Sequence, residues 1–286
     1  MLKTLDLGSF NIKVESGEIF ENRFVLDNDA ETFGAEVLEH KGNNYFFGKG
    51  AFNRTFSKAH KDFIVPLLYA LGKTKTDEDI NLMLHLPLSQ YKMKSMIIEK
   101  LANQTFEFKV NGSGKKVNIH DVVVAKEGWS SFYSLPKRNA GLIAIGDMGG
   151  RTTDVVTFVN GRLEHEISVA IGTMDLFQDI ADELNSKGQN RTLEDIHKLL
   201  EHKIIDIKDF KHLTDAFTER IINAIKMELE SIGDYKIYLT GGGATYNIDK
   251  FKELFTNVEI MPNNLVSNVK GGQVVGEAKG LNKLKS

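Results

Sequence analysis

The stretch "AIGDMGGRTTD", residues 144 to 154, sets an acidic side chain at the end of an apolar run and follows it with two glycines, two threonines and a second acid. An earlier stretch, "LDLGSFNIK" at residues 5 to 13, has a similar build of strand pattern, aspartate, glycine turn and strand pattern. Each stands at the head of a strand-then-helix series. A chain that repeats such a head at long range is expected to fold as two halves of similar build facing one another. Gly8, Gly149 and Gly150 can take positive φ and expose backbone N–H groups free of a Cβ, so an anion can approach each turn closely.

Two halves suit the length, since 286 residues lies near the size at which single cores give way to two domains. Residues 2 to 7 and 10 to 14 read as strands around Gly8-Ser9, with "FENRFVL" and "NNYFFGKG" as further strands. "DINLMLHLPLSQY" reads as a strand ended by Pro87, "YKMKSMIIEKLAN" as a helix, "NGSGKK" as a hairpin tip, "VNIHDVVVA" as a strand and "WSSFYSL" as a helix start, with Glu127 at the joint. The second series begins at Leu142. Its strands "LIAIGD" and "TDVVTFV" are followed by Asn160-Gly161, a strong hairpin signal, and by "RLEHEISVAI". Helices are expected over 174 to 186, from a Thr192 cap with Asp195 three residues on, and over 210 to 232. "YKIYLTGGG" returns as a buried strand, "IDKFKELF" as a helix, and "GGQVVGEAKGLNKL" as a closing helix. The expected division is residues 1–144, with a strand-rich subdomain at about 20–60; residues 145–270, with a helical subdomain at about 173–233; and a closing helix, 271–286, that returns to the first half.

Composition narrows the chemistry. With no cysteine, the chain has no disulfides, thiolate metal sites or cysteine nucleophiles. A net charge of −3 offers no basic excess for a phosphate backbone or an anionic bilayer, so neither direct nucleic-acid binding nor membrane association is expected. No apolar run approaches the ~20 residues needed to span a bilayer, and the first residues enter a strand pattern without a signal-type core. The expected location is the cytoplasm.

The two turns are not P-loops, because no G-x-x-x-x-G-K-[ST] occurs and each turn leads back into a strand. Two hairpins closing on a triphosphate would need a cation to offset Asp6, Asp147 and the nucleotide. Mg²⁺ fits, since it binds through few carboxylates and keeps several waters. Ser9, Asn11, Arg151 and Thr152 belong to the same turns, and Lys13 can offer a compact charge to phosphates or lie solvated at a strand edge. In "YLTGGGATYN", Gly241, Gly242, Gly243 and Ala244 follow a buried strand, where a flat ligand or ribose can lie against the backbone. Judged singly, each motif also reads as an ordinary turn.

Taken together and in order, "DLGSFNIK", "IGDMGGRTTD" and "LTGGGA" resemble the phosphate-1, phosphate-2 and adenosine motifs of the actin, Hsp70 and sugar-kinase superfamily. Within it the chain is similar to the ParM (StbA) family of bacterial actin-like plasmid-segregation ATPases, through its opening D-x-G-S-x-N-I-K, "LPLSQY" at 86 to 91 and "GGGA". "GGQVVGEAKG" resembles the second connecting segment, whose glycines hinge the lobes. The resemblance implies an α/β actin-like ATPase fold of two facing lobes, each of RNase H-like α/β architecture, with a nucleotide cleft between them. It implies ATP (or GTP) and Mg²⁺ as cofactors, with Asp6 and Asp147 on the metal side through water. It assigns Glu127, in "VVVAKEGWS", the polarisation of the attacking water, beside Asp147; on residue type alone Glu127 equally favours a helix amino terminus. It further implies filaments of the chain with itself and a DNA-binding adaptor of ParR type that links them to plasmid DNA.

Arg151 departs from the family, which commonly has threonine there; its guanidinium can reach phosphates or point to solvent. The segment from about 173 to 233 is compact for the upper part of a second lobe. A different class, a small-molecule kinase of the superfamily, would need an acid or base, for which Glu127 could be recruited, and a polar substrate pocket, for which no sugar-binding signature is visible; a non-polymerising ATPase of the superfamily is a further alternative. An Hsp70-like chaperone is not the expected reading, as no room follows the last lobe segment for a peptide-binding domain, and "LNKLKS" is short for the amphipathic terminal helix expected of membrane-bound relatives. His197 and His202, five apart, are poorly spaced for a shared metal. Trp129 and the Phe-rich stretch at 46 to 63 read as core or interface residues.

Overall fold

A computed structural model describes residues 1–26, 32–55, 57–138 and 140–284. The chain forms two compact units, Met1–Ser134 with Val266–Ser286, and Leu135–Leu265. Part of the expected 20–60 subdomain, residues 27–31 and Phe56, lies outside the described residues.

The first unit opens with β1 (Leu2–Leu7), β2 (Asn11–Val14), β3 (Ile19–Glu21), β4 (Phe24–Leu26), β5 (Glu36–His40) and β6 (Asn43–Phe47). Helix α1 (Ile64–Lys73), β7 (Asp79–Leu86), α2 (Lys94–Leu101), β8 (Gln104–Val110), β9 (Ser113–Lys126) and the short α3 (Trp129–Phe132) follow. The second unit holds β10 (Leu142–Met148), β11 (Thr153–Val159), β12 (Arg162–Val169), α4 (Thr173–Ser186), α5 (Leu193–Glu201), α6 (Lys211–Glu228), β13 (Lys236–Thr240), α7 (Ala244–Leu254) and β14 (Val258–Ile260). The closing helix, α8 (Ser267–Ala278), belongs to the first unit.

Among the described residues the first sheet runs β3-β2-β1-β7-β9-β8-β5-β6-β4, and the second β12-β11-β10-β13-β14. In the first, β1 pairs antiparallel with β2 and parallel with β7, which pairs parallel with β9. In the second, β10 pairs antiparallel with β11 and parallel with β13, which pairs parallel with β14. The order β3-β2-β1-β7-β9 is therefore repeated as β12-β11-β10-β13-β14, and the repeated heads in the sequence are the repeated head strands β1 and β10. Central parallel strands covered on both faces require near-continuous apolar runs. "DINLMLHL" meets this need, with every residue of β7 after Asp79 buried.

Local chemistry sets most element ends. Asn160 and Gly161, at φ 48° and 79°, make the tight turn between β11 and β12. Thr192 and Asp195 form a reciprocal cap on α5: the Asp195 N–H donates to Thr192 Oγ1 at 3.2 Å, and the Thr192 N–H to Asp195 Oδ2 at 2.8 Å. Other elements depart from the sequence reading. "FENRFVL" splits between β3 and β4, which lie at opposite ends of the sheet order. The tip at 111 to 116 shortens to the two residues between β8 and β9, Asn111 and Gly112, both at positive φ. Helix α8 starts at Ser267, upstream of its glycine pair. No element was expected at α1, because "IVPLLYALGK" is apolar all round and shows no helical face. Leu67, Leu68 and Leu71 of α1 are fully buried in the first unit's core, each contributing ~1.5–3 kcal/mol. Phe47, Phe52 and Phe63 are core residues, and Trp129 packs on Tyr133, in line with the aromatic reading. Among the described residues no helix is long and apolar enough to cross a membrane.

Candidate functional site

The expected site residues fall into two groups, one at the head of each sheet. In the first unit, Asp6 is buried near the end of β1, directly across the hairpin from Lys13. Lys13 Nζ lies 3.3 Å from Asp6 Oδ2. Strand β2 is flanked by β1 and β3, so Lys13 is not on a sheet edge, and it is ion-paired where the sequence also allowed a solvated lysine.

Gly8 begins the turn. Its φ is not positive, contrary to the expectation; glycine is needed for space, because a Cβ would stand 2.7 Å from the Asn11 carbonyl oxygen. The Gly8 carbonyl accepts a 2.6 Å hydrogen bond from Asn22 Nδ2, and Ser9 Oγ accepts one of 3.2 Å from Lys61 Nζ. Asn11 opens β2, paired with Glu21.

Glu127 follows β9 and is buried. Its N–H donates to the Leu86 carbonyl at 2.9 Å. The next residue, Gly128, takes φ 68° and ψ −50°, a conformation that side chains disfavour, and its N–H donates to Asn268 Oδ1 of α8 at 3.0 Å. The same Asn268 oxygen accepts from Ser131 Oγ at 2.7 Å. Glu127 therefore does not sit in the first turn of α3, and its carboxylate has an ionic partner: Lys58 Nζ donates to Glu127 Oε1 and, at 2.9 Å, to Asp6 Oδ1. The Lys58 side chain is only 12% exposed. Burial alone would push the Asp6 carboxyl up, but the ammoniums of Lys58 and Lys13 override it and hold the group well below the usual carboxylate range. Burial likewise opposes the Lys58 charge, and Asp6 and Glu127 override it, holding the ammonium above the usual lysine value. Near neutral pH Asp6 and Lys58 are both charged.

In the second unit, Asp147 stands on β10 directly opposite Asp154 on β11 and beside Thr240 on β13. Both aspartates are buried, so the two acids that bracket the turn in sequence face each other across one hairpin. The Gly149 N–H closes that turn on the Thr152 carbonyl at 2.9 Å; it is committed inside the turn, and φ at Gly149 is not positive. The carbonyls of Gly149 and Gly150 accept the N–H groups of Thr173 and Met174 at 3.0 and 2.9 Å, which docks the turn on the amino terminus of α4. Gly172 makes this docking possible, since a Cβ there would lie 2.4 Å from the Gly150 carbonyl carbon and 2.5 Å from the Arg151 nitrogen. Thr152 is buried; Arg151 is half-buried, and its Nε finds no hydrogen-bond partner among the described residues.

The glycine run after β13 joins the same corner. Gly241 takes φ 82°, and a Cβ would stand 2.6 Å from Asp147 Oδ1. The Gly243 N–H donates to the Met148 carbonyl at 2.9 Å. Around Gly242 there is open space, and Ala244 begins α7, fully buried. Within each unit, then, the expected residues converge. Lys58, Gln90, Gly172 and Asn268 were missed. Gly172 could have been found, as a glycine followed by Asp175 at the third helical position, whose carboxylate accepts the Gly172 N–H at 2.8 Å. Nothing local marks Lys58.

Two family models match in succession. Residues 4–129 match the N-terminal domain of actin-like proteins, and residues 145–253 the C-terminal part of the MreB-like archaeal actin homologue. No curated protein matches the chain by sequence. Among solved structures, the chain resembles an archaeal actin homologue, Ta0583, in complex with ADP (20% identity, 97% of this chain and 99% of that chain covered, TM-score 0.81). It also resembles ParM in a 15-stranded filament from Clostridium botulinum (19%, 97% and 99%, TM-score 0.78) and AlfA in a filament bound to AMPPNP (19%, 99% and 98%, TM-score 0.65). The strand order repeated in the two units, with a buried aspartate on each head strand, agrees with these matches, and the chain belongs to the actin-like proteins.

Proposed function

We propose that the chain binds and hydrolyses ATP or GTP with Mg²⁺ and assembles with itself into nucleotide-dependent filaments of the ParM type. The observation that carries this reading is the repeated corner: each sheet sets one buried aspartate on its head strand, Asp6 or Asp147, beside a turn with glycine at its tightest point. A hydrated Mg²⁺ needs only one or two carboxylates, and Asp6 and Asp147 would hold it through water, Asp6 while its two oxygens accept Lys58 and Lys13 and Asp147 with the Gly241 backbone packed against it. Bound there, the ion would neutralise phosphate charge. Lys13 and the turns at 8–11 and 149–152 would position the phosphates, and the run 241–244 would receive the nucleoside. Glu127 would orient and polarise the attacking water, the kind of assistance that contributes ~10²–10⁴ in rate.

The ADP-bound archaeal homologue supports nucleotide binding, and the ParM and AlfA filaments support self-association. A nucleotide and a neighbouring subunit that both favour one conformation raise each other's apparent affinity, which couples turnover to assembly. In cells such filaments would act in the cytoplasm, segregating plasmid DNA through a ParR-type adaptor. Light scattering after addition of Mg-ATP or Mg-GTP to the full chain tests the proposal, and a nucleotide-dependent rise that decays as phosphate is released is the expected result. Turnover without scattering would instead favour a kinase or non-polymerising ATPase.

A further inference from the structure

One short segment governs both Glu127 and the cation beside it. The end of β7 runs through Pro87 into a 3-10 turn, Leu88–Met93. At its start the Leu86 carbonyl accepts the Glu127 N–H at 2.9 Å. Four residues on, the buried side chain of Gln90 accepts the backbone N–H of Lys58 at 2.7 Å through Oε1. A second bond, from Ser57 Oγ to Met93 Sδ at 3.6 Å, ties down the residue before Lys58. "LPLSQY" thus holds the backbone of the acid and that of the lysine in one frame, and the Lys58 ammonium closes that frame by bonding Glu127 Oε1 and Asp6 Oδ1.

We propose that Lys58 is a positioning residue for Glu127, its ammonium fixing one carboxylate oxygen against Asp6 so that the second oxygen is held in one orientation toward the attacking water. Charge-assisted hydrogen bonds are the strong ones, and a base acts only when its oxygen is held within reach of the proton it takes. The ammonium also offsets two carboxylates that would otherwise repel each other. This inference rests on the hydrolytic reading above, with Lys58 acting through Glu127 and without a phosphate contact of its own.

Lys58→Met removes the charge and keeps the stem. Lys58→Arg keeps the charge, and a cavity of about 30 Å³ that borders Lys58, lined largely by apolar residues such as Leu7, Phe63, Leu84 and Ile97, gives the longer side chain's stem space to adjust. For Lys58→Met, kcat should fall about 10- to 100-fold while the dissociation constant for a fluorescent ATP analogue stays within about threefold; Lys58→Arg should recover most of kcat, and Gln90→Leu should lie between. In the nucleotide-free chain, a lysine side-chain ¹⁵N correlation spectrum should contain, besides the signal of the buried Lys3, an ammonium with slow proton exchange that is absent in Lys58→Met and accelerated in Glu127→Gln. Unchanged kcat in Lys58→Met, a parallel loss of nucleotide affinity, or a Lys58 ammonium indifferent to Glu127→Gln would each overturn the proposal. Failure of the wild-type chain to release phosphate would overturn the hydrolytic reading instead, and the ammonium spectrum would still decide the Lys58–Glu127 link.

Discussion

The Gly128 N–H and Asn268 Oδ1 meet at 3.0 Å across 140 residues of chain, so the residue after Glu127 is held by the closing helix. Asn268→Ala should leave Gly128 N–H and Ser131 Oγ without this acceptor in a buried setting. The expected cost is about 1–3 kcal/mol of stability, read by urea unfolding of the full chain. A loss below about 0.5 kcal/mol would mean that α8 does not hold this loop.

Gly172 and Gly242 make a matched pair. Gly172→Ala forces a Cβ into the backbone of the 149–152 turn, while Gly242→Ala meets nothing within 4 Å and needs no positive φ. We expect Gly172→Ala to cost about 1–3 kcal/mol and to weaken nucleotide binding at least tenfold in equilibrium titration, and Gly242→Ala to stay within about 0.5 kcal/mol of wild type. Weaker nucleotide binding by Gly242→Ala would show that the bound nucleotide uses that open space.

Replacing Glu127 with Ala should preserve nucleotide binding, slow phosphate release by about 10²- to 10⁴-fold and leave longer-lived filaments. Phosphate assay and light scattering on one sample read both effects. Normal phosphate release would remove Glu127 from the mechanism.

His85 gives a pH dependence. It is buried, with Nδ1 3.0 Å from the Leu5 carbonyl, and Nε2 has no hydrogen-bond partner among the described residues. Burial, aided by the charges of Lys58 and Lys13 and opposed by Asp6 and the Leu5 carbonyl bond, pushes the imidazole below its usual value. The unfolded chain then takes up the His85 proton first, at about pH 6.5. Stability is full above that pH and declines as pH falls toward the folded value, by at most about 1.4 kcal/mol per pH unit from this group. His85→Asn can keep the bond to Leu5 and should flatten the slope between pH 7 and 5.5 in urea unfolding. An unchanged slope would assign it to other groups.

Much of the architecture was legible because its signals are local. Asp6 and Asp147 end apolar strand patterns beside glycine turns, Asn160-Gly161 marks a hairpin, and Thr192 with Asp195 marks a helix start; each needs only a few neighbouring residues to be recognised. The repetition of the first two then implied two similar sheets, which the strand orders contain. Local signals also misled: Gly8 and Gly149 suggested positive φ, yet neither has it; a Cβ would stand 2.7 Å from the Asn11 carbonyl oxygen at Gly8 and 3.1 Å from that of Thr152 at Gly149.

What amino-acid order could establish ends where spacing in the chain stops matching spacing in the fold. Lys58 lies 52 residues from Asp6 and 69 from Glu127, inside an aromatic stretch that reads as core, and α1 has no polar face to reveal its period. Gln90 was visible within a motif, but what it does depends on the Lys58 N–H folding back onto it. Strand and turn propensities act over a few residues; the charge network around Glu127 and the docking of α8 exist only after distant segments have packed, so their chemistry belongs to the folded molecule.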